Sequence, residues 1–322
     1  MRRSVLFLIL AIFLFVGEAA RAQQDAQFSQ YMFNTLFYNP AFAGVEGVTK
    51  LTAAHRSQWA GYSATFDAGG APSTQLISLN APLFRLRSGV GIHLVNDKLG
   101  PLTNQEVQVS YAYHLGFKNS KMSFGIRTGI FSQSINRTLY RPNQNPDPLI
   151  AEGEDSQVRP DLALGVYFRS EKVYVGASFN HLLKAEFDFG NAASRNALEN
   201  HVIFTAGYNY DLSSYNLVIT PSVLVKSDFN EYIFDLGFIT TYKEKMWGGL
   251  SFRQSEAAII MLGYSLLKDN SLKFGYSFDY VFNEQEAKEP TSHEFFVSYQ
   301  LPAIVDTGKK IIRTPRFRHD NN

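Results

Sequence analysis

Five ionisable residues set the question of chemistry: His93, Asp97, Glu106, His114 and Arg127. An imidazole beside a carboxylate is an acid–base pair, and a guanidinium can steady negative charge as it develops. If residues 88–97, 104–115 and 121–133 are neighbouring strands, these side chains could converge as in a barrel hydrolase. The better supported reading is a network of ion pairs and hydrogen bonds that holds strand register inside a polar interior. The chain has no G-x-S-x-G elbow, no H-E-x-x-H, no phosphate-binding loop and no dinucleotide fingerprint. Histidines 55, 93, 114, 181 and 201 are scattered one to a strand, without i, i+2 metal pairing. No catalytic residue, metal ligand or cofactor site is assigned, and an enzyme is not expected. Asn136-Arg137-Thr138 matches a glycosylation triplet, a pattern common by chance.

The elements that would position such side chains are strands. Beyond residue 46 the dominant hydrophobic period is two. Leu272, Phe274, Tyr276, Phe278 and Tyr280 share one face, against Lys273, Gly275, Ser277 and Asp279 on the other. Tyr232, Phe234, Leu236 and Phe238 alternate in the same way with Glu231, Ile233, Asp235 and Gly237. Such runs predict fourteen strands, at 48–59, 74–82, 88–97, 104–115, 121–133, 159–169, 172–183, 200–212, 215–226, 230–242, 245–254, 257–266, 271–282 and 292–301. Strands near ten residues suit a tilted crossing of a hydrocarbon layer.

The connections alternate in length. Short turns at 83–87, 116–120, 170–171, 213–214, 243–244 and 267–270 are interleaved with links at 60–73, 98–103, 134–158, 184–199 and 283–291, plus two short ones near 227–229 and 255–256. That asymmetry, with an even strand number, predicts an all-β, outer-membrane-type transmembrane antiparallel β-barrel whose short turns and both termini lie in the periplasm. Tyr242, Trp247 and Tyr299 would sit at the periplasmic aromatic girdle and Trp59 at the opposite one. A soluble β-sandwich is the competing fold, but it would leave sheet edges exposed, whereas a barrel pairs every strand.

Composition agrees. Aromatic residues make up 14% of the chain, with 27 Phe and 17 Tyr, although mean hydropathy is only −0.14. A net charge of +1 gives no reason to expect nucleic acid as a partner. Cysteine is absent, so disulfide staples, structural zinc and thiol catalysis are not expected. Arg2 and Arg3, an apolar run at 5–16 and Ala20-Arg21-Ala22 form a cleavable export signal over residues 1–22.

Three segments lie outside the strands. Residues 23–46 are too aromatic for a flexible leader, and Pro40 with Gly44 interrupts any single helix or strand. A cap or plug at the barrel's periplasmic mouth is expected, with Asn34 and Asn39 capping turns. The barrel itself would occupy residues 47–301. The link at 134–158 holds Pro142, Pro146 and Pro148 with acidic Glu152, Glu154 and Asp155. The tail at 302–322 is basic through Lys309, Lys310, Arg313, Arg316 and Arg318, with Phe317 as an apolar contact, and suggests periplasmic docking.

The stretch QFSQYMFNTLFYNPAFAG resembles the N-terminal signature of the PorP/SprF family, outer-membrane proteins of the Bacteroidetes type IX secretion and gliding apparatus. The likeness continues in order through HRSQW, APSTQLISLNAPL, GVGIHLVNDKLGP, SYAYHL, GVYFRSEKVYVGASFNHL and FTAGYNYDL. It implies a non-enzymatic barrel in the outer-membrane lipid. Its partners would be the periplasmic and outer-membrane components of the type IX machinery and secreted surface proteins, such as adhesins, that carry type IX C-terminal domains. The family-matching positions are Gln30, Tyr31, Phe33, Asn34, Phe37, Tyr38, Asn39, Pro40, Phe42 and Gly44, then Arg56, Gln58 and Trp59. With the basic tail they are the candidate partner contacts. A transporter of small or hydrophobic molecules is the alternative, since fourteen strands with an N-terminal aromatic plug also describe long-chain fatty-acid uptake barrels.

Overall fold

The computed structural model describes residues 25–62, 70–140, 153–189, 196–267, 269–282 and 288–302. The export signal, the basic tail at Lys309–Arg318 and the centre of the 134–158 link lie outside the described residues.

Period-two alternation becomes fourteen barrel strands among the described residues. They are β1 (Lys50–Ser57), β2 (Ser73–Leu83), β3 (Ser88–Leu99), β4 (Leu102–Gly116), β5 (Ser120–Asn136), β6 (Glu154–Ser170) and β7 (Val173–Asn180). The second half comprises β8 (His201–Tyr208, continued by Tyr210–Leu212), β9 (Leu217–Ser227), β10 (Tyr232–Tyr242), β11 (Met246–Arg253), β12 (Ala257–Leu266), β13 (Leu272–Val281) and β14 (Thr291–Gln300). Each pairs antiparallel with its successor, and β1 pairs with β14 from Lys50↔Gln300 to Ser57↔His293. The sheet therefore closes on itself and has no edge.

The two faces decide the environment. Outward residues are apolar and open: Val107 is 44% exposed, Leu236 56% and Leu262 61%. Inward residues are polar yet covered: His93, Gln108, Arg253, Asp279 and Glu294 are each 0% exposed. A water-soluble sandwich puts its apolar face inside, and this ring does the reverse. Lipid is the solvent that suits the outer face.

Three local expectations differ from the fold. The link at 98–103 is a tight turn of Gly100 and Pro101, with Gly100 at φ 62°. β6 begins at Glu154 rather than 159, because Asn136 and Ser134 of β5 bond Glu154 and Ser156 side chain to side chain, a polar pairing that period-two hydrophobicity cannot register. Trp247 is not part of a lipid-facing girdle. In β11, Met246, Leu250 and Phe252 point outward while Trp247 points inward, where it is 6% exposed and lies over Gly263.

Turns at β2–β3, β4–β5, β6–β7, β8–β9, β10–β11 and β12–β13 lie at the same end of the ring as Lys50 and Gln300. This is the short-turn end. The remaining links define the long-link end.

Candidate functional site

The lumen is occupied by the chain's own residues 25–45. Three short helical turns, Tyr31–Phe33, Thr35–Tyr38 and Pro40–Phe42, fold this stretch compactly enough to fit inside the ring. Asn39 stays extended before Pro40, and its side chain accepts from Ala41 N at 2.9 Å, the capping expected of it. Asn34 makes no such cap, and its buried amide has no hydrogen-bond partner among the described residues. Among these residues, 27, 32 and 33 are half-buried and the rest are buried.

The plug runs along the lumen from the long-link end to the short-turn end. Asp25 lies among His181, His201 and Lys226, at the long-link ends of β7, β8 and β9. At the other extreme, Gly44 N donates to Asn80 Oδ1 at 2.6 Å, and Val45 O accepts from Lys121 Nζ at 3.2 Å. Lys50 and Gln300, the two ends of the barrel proper, do lie together. The segment before β1 departs from the expectation of ends on one side, because Asp25 lies toward the opposite end of the ring.

A charged network holds residues 28–30. Arg56 Nη1 lies 2.7 Å from Asp279 Oδ2 and 3.5 Å from Glu294 Oε2, and it also donates to Ser29 Oγ. Arg253 grips Asp235 through Nε at 3.0 Å and Nη2 at 3.1 Å, a two-point contact, and reaches Phe28 O at 3.3 Å. Glu256 approaches both guanidiniums, at 3.6 Å from Arg253 and 4.0 Å from Arg56. Two cations thus face four carboxylates, and the plug supplies further donors. Ser29 N and Gln30 N bond the two oxygens of Glu294 at 2.7 and 3.0 Å, and Ser29 Oγ bonds Asp279 at 2.6 Å. The seated plug excludes water from these carboxylates, and its own N–H and O–H groups supply donors that offset the cost of burying them.

Apolar packing secures the middle. Phe33 stacks on Phe296 at 4.7 Å and against Trp247 at 4.6 Å. Phe37 meets Phe28 and His93 edge-on, and Phe42 meets Tyr167 at 5.3 Å. Three hydrogen bonds tie this layer to the wall. Tyr31 Oη and Ser222 Oγ are 2.8 Å apart, Arg127 Nη1 donates to Phe37 O at 2.6 Å, and Ser178 Oγ donates to Tyr38 O at 2.7 Å.

Glycines on the inward face form the seat for residues 39–44. A methyl group on Gly89 would come within 2.4 Å of Gly44 Cα, and one on Gly125 within 2.2 Å of Ala41 N. Opposite Gly165, Asn39 spans two strands, donating to Val166 O at 2.9 Å and Ala177 O at 3.1 Å.

The expected partner contacts are accordingly placed together, but inside the barrel. Gln30, Tyr31, Phe33, Asn34, Phe37, Tyr38, Asn39, Pro40, Phe42 and Gly44 all belong to the plug, and Arg56 belongs to the wall that holds it. Gln58 and Trp59 sit beyond β1 at the long-link end, half-buried. Meeting a partner through the plug side chains would require the plug to move.

The five ionisable residues do not form one site. His93 Nε2 lies 3.8 Å from Glu106 Oε2, Arg127 serves the plug, Asp97 accepts from Thr74 at 2.6 Å, and His114 pairs with Ser123 at 2.8 Å. No nucleophile and base converge in this group. Sequence reading missed a second cluster. Asp25 lies 2.9 Å from His181 Nε2, 3.2 Å from Lys226 Nζ and 3.6 Å from His201 Nδ1. Burial alone would raise the Asp25 carboxyl, but Lys226, His181 and His201 hold it well below the usual range. A charge placed among the plug's aromatic residues was the available signal, although its partners lie more than 150 residues away.

The barrel is similar to solved outer-membrane barrels. The CymD monoaromatic hydrocarbon channel shares 14% identity, with 89% of this chain and 96% of that one covered, at a TM-score of 0.51. The P. putida toluene transporter TodX shares 10%, covering 82% and 93%, at 0.47. Omp33 of Acinetobacter baumannii shares 8%, covering 79% and 99%, at 0.45. No curated protein sequence matches the chain. The model of the type IX secretion system membrane protein PorP/SprF matches residues 20–299, nearly the whole chain. A closed fourteen-stranded ring, lipid-facing outside and polar within, together with that match, makes this chain an outer-membrane member of the PorP/SprF family of the type IX secretion system.

Proposed function

We propose that this barrel is a non-enzymatic component that supports export or cell-surface anchoring of proteins bearing type IX C-terminal domains, acting through its outer surface and ends rather than its lumen. The carrying observation is the plug. Residues 25–45 cross the lumen and donate hydrogen bonds to both oxygens of Glu294 and to Asp279 Oδ2. A polypeptide cargo would have to displace that whole segment to pass through the ring. In this reading the short-turn end faces the periplasm and, with the basic tail, docks to the secretion machinery. The tail's charge would suit an acidic or anionic partner surface.

Two experiments test this reading. Deleting the gene should strip the cell surface of at least one protein with a type IX C-terminal domain, and unchanged export and retention of all of them would refute it. Detergent co-purification with and without residues 302–322 tests the dock. Loss of periplasmic components on truncation is expected, and identical recovery would remove the tail from the proposal. A plugged transporter of small hydrophobic molecules is the competing role. Its signature would be substrate uptake into liposomes, which a sealed lumen should not give.

A further inference from the structure

We infer that Asp25, His181 and His201 form a binding site for a divalent transition metal that ties the leading end of the plug to the barrel wall. The inference goes beyond the secretion role and does not depend on it. The three residues come from the plug, the link after β7 and the start of β8, and they offer one carboxylate oxygen and two imidazole nitrogens within 4.8 Å of one another. All three are buried.

The geometry is close to that of a coordination shell. Metal–ligand bonds near 2.0 Å at a tetrahedral angle place neighbouring donor atoms about 3.3 Å apart. Here one imidazole faces each oxygen of the carboxylate, with Asp25 Oδ2 and His201 Nδ1 3.6 Å apart and Asp25 Oδ1 and His181 Nε2 2.9 Å apart, so an ion between the rings would draw them toward a shared oxygen. The second observation is an unpaired donor atom. His201 is 5% exposed, and its Nδ1 has no hydrogen-bond partner among the described residues although it is turned toward the carboxylate. A third is the outer support of His181. Its Nδ1 lies 3.2 Å from Asp161 Oδ1, and Gln108 Nε2 donates to Asp161 Oδ2 at 3.0 Å. Carboxylates that orient metal-binding histidines in this way fix which ring nitrogen faces the ion.

Lys226 opposes the metal. Its ammonium lies 3.2 Å from Asp25 Oδ2 and neutralises the carboxylate when no ion is bound. An incoming cation must displace it. Glu106 lines the same small cavity as Lys226 and gives the ammonium another carboxylate to approach. Two imidazoles and one carboxylate favour zinc, copper or nickel over magnesium or calcium, which prefer all-oxygen shells. The ion would join three separate stretches of chain, so its binding and the seating of the plug would reinforce each other.

The test uses the tag-free full chain in detergent, with Zn²⁺ and Co²⁺ as probes. About one ion per chain should bind, and Co²⁺ should give the visible absorption of a low-coordinate nitrogen and oxygen site. Asp161→Asn should weaken binding by about 10–100-fold, whereas Lys226→Met should tighten it at least tenfold. Absence of stoichiometric binding to the wild-type chain would overturn the inference without recourse to any variant. So would equal binding by the Asp25→Asn, His181→Gln, His201→Gln triple variant, provided it migrates as a folded barrel, or a Lys226→Met chain that binds no more tightly.

Discussion

A single methyl group at Gly125 should loosen the plug while leaving the barrel intact. In the folded chain, a Cβ at this position would lie 2.2 Å from Ala41 N and 2.4 Å from the Pro40 carbonyl carbon. These are backbone atoms and cannot rotate aside. Reaching an ordinary 3.4 Å contact requires the plug to retreat by about 1.2 Å. That movement carries Asn39 away from Val166 O and Ala177 O, now at 2.9 and 3.1 Å. Two lost hydrogen bonds at about 0.5–1.5 kcal/mol each, with about 1–3 kcal/mol for overpacking, weaken seating by about 2–6 kcal/mol. Even about 3 kcal/mol changes the unseated population roughly a hundredfold. The strand itself has no quarrel with alanine, because the inward position opposite Gly165 is open once the plug is gone. The natural chain has no cysteine, so a Val45→Cys probe reports seating through its maleimide reactivity, Val45 being 1% exposed. Labelling should be slow in the parent and about a hundredfold faster with Gly125→Ala, while heat-modifiable gel migration persists. Equal labelling rates in the two chains would refute the seating geometry.

Other parts of the plug and ring yield further expectations. Arg56→Met strands Asp279 and Glu294, both 0% exposed, and should cost about 3–5 kcal/mol; a lower urea midpoint, partly restored by Asp279→Asn, is the readout. Phe33→Ala removes two ring contacts worth about 0.5–1.5 kcal/mol each. In a Trp59→Phe background, leaving Trp247 as the sole tryptophan, emission should shift to the red while strand content by circular dichroism is unchanged. Leu262→Arg places a charge on the outward face of β12, where Leu262 is 61% exposed. It should destabilise the barrel in vesicles by about 2–4 kcal/mol, measured as folded fraction against denaturant.

The ring was legible in the sequence because the lipid imposes a strict rule on alternate residues. Leu272 through Tyr280 shows why: a bulky outward face and a small or polar inward face recur with period two, and the strand count follows. The rule weakens where neither face is apolar, as at the start of β6, where Glu154 and Ser156 pair with polar residues of β5. It also misleads at Trp247, whose size suggested a membrane girdle although its parity in β11 directs it inward. The plug was recognisable as an aromatic block, but its path was not. Whether it lies beneath the ring or runs through it depends on contacts such as Ser29 with Asp279, across 250 residues, and no local period encodes these. The inward glycines at 89, 125 and 165 were the nearest available clue, since together they leave room for a second backbone. The Asp25 cluster escaped notice for a related reason. Histidines 181 and 201 belong to different elements, and only the threaded plug brings a carboxylate between them.

Ion conductance of the purified full chain in a planar lipid bilayer tests the central claim, that function resides on the outside of a sealed barrel. The plug's path predicts no steady channel from the wild-type chain, and a conducting state when residues 25–45 are deleted from a barrel that still folds. Porin-like conductance from the intact chain, unchanged by removing the plug, would contradict it.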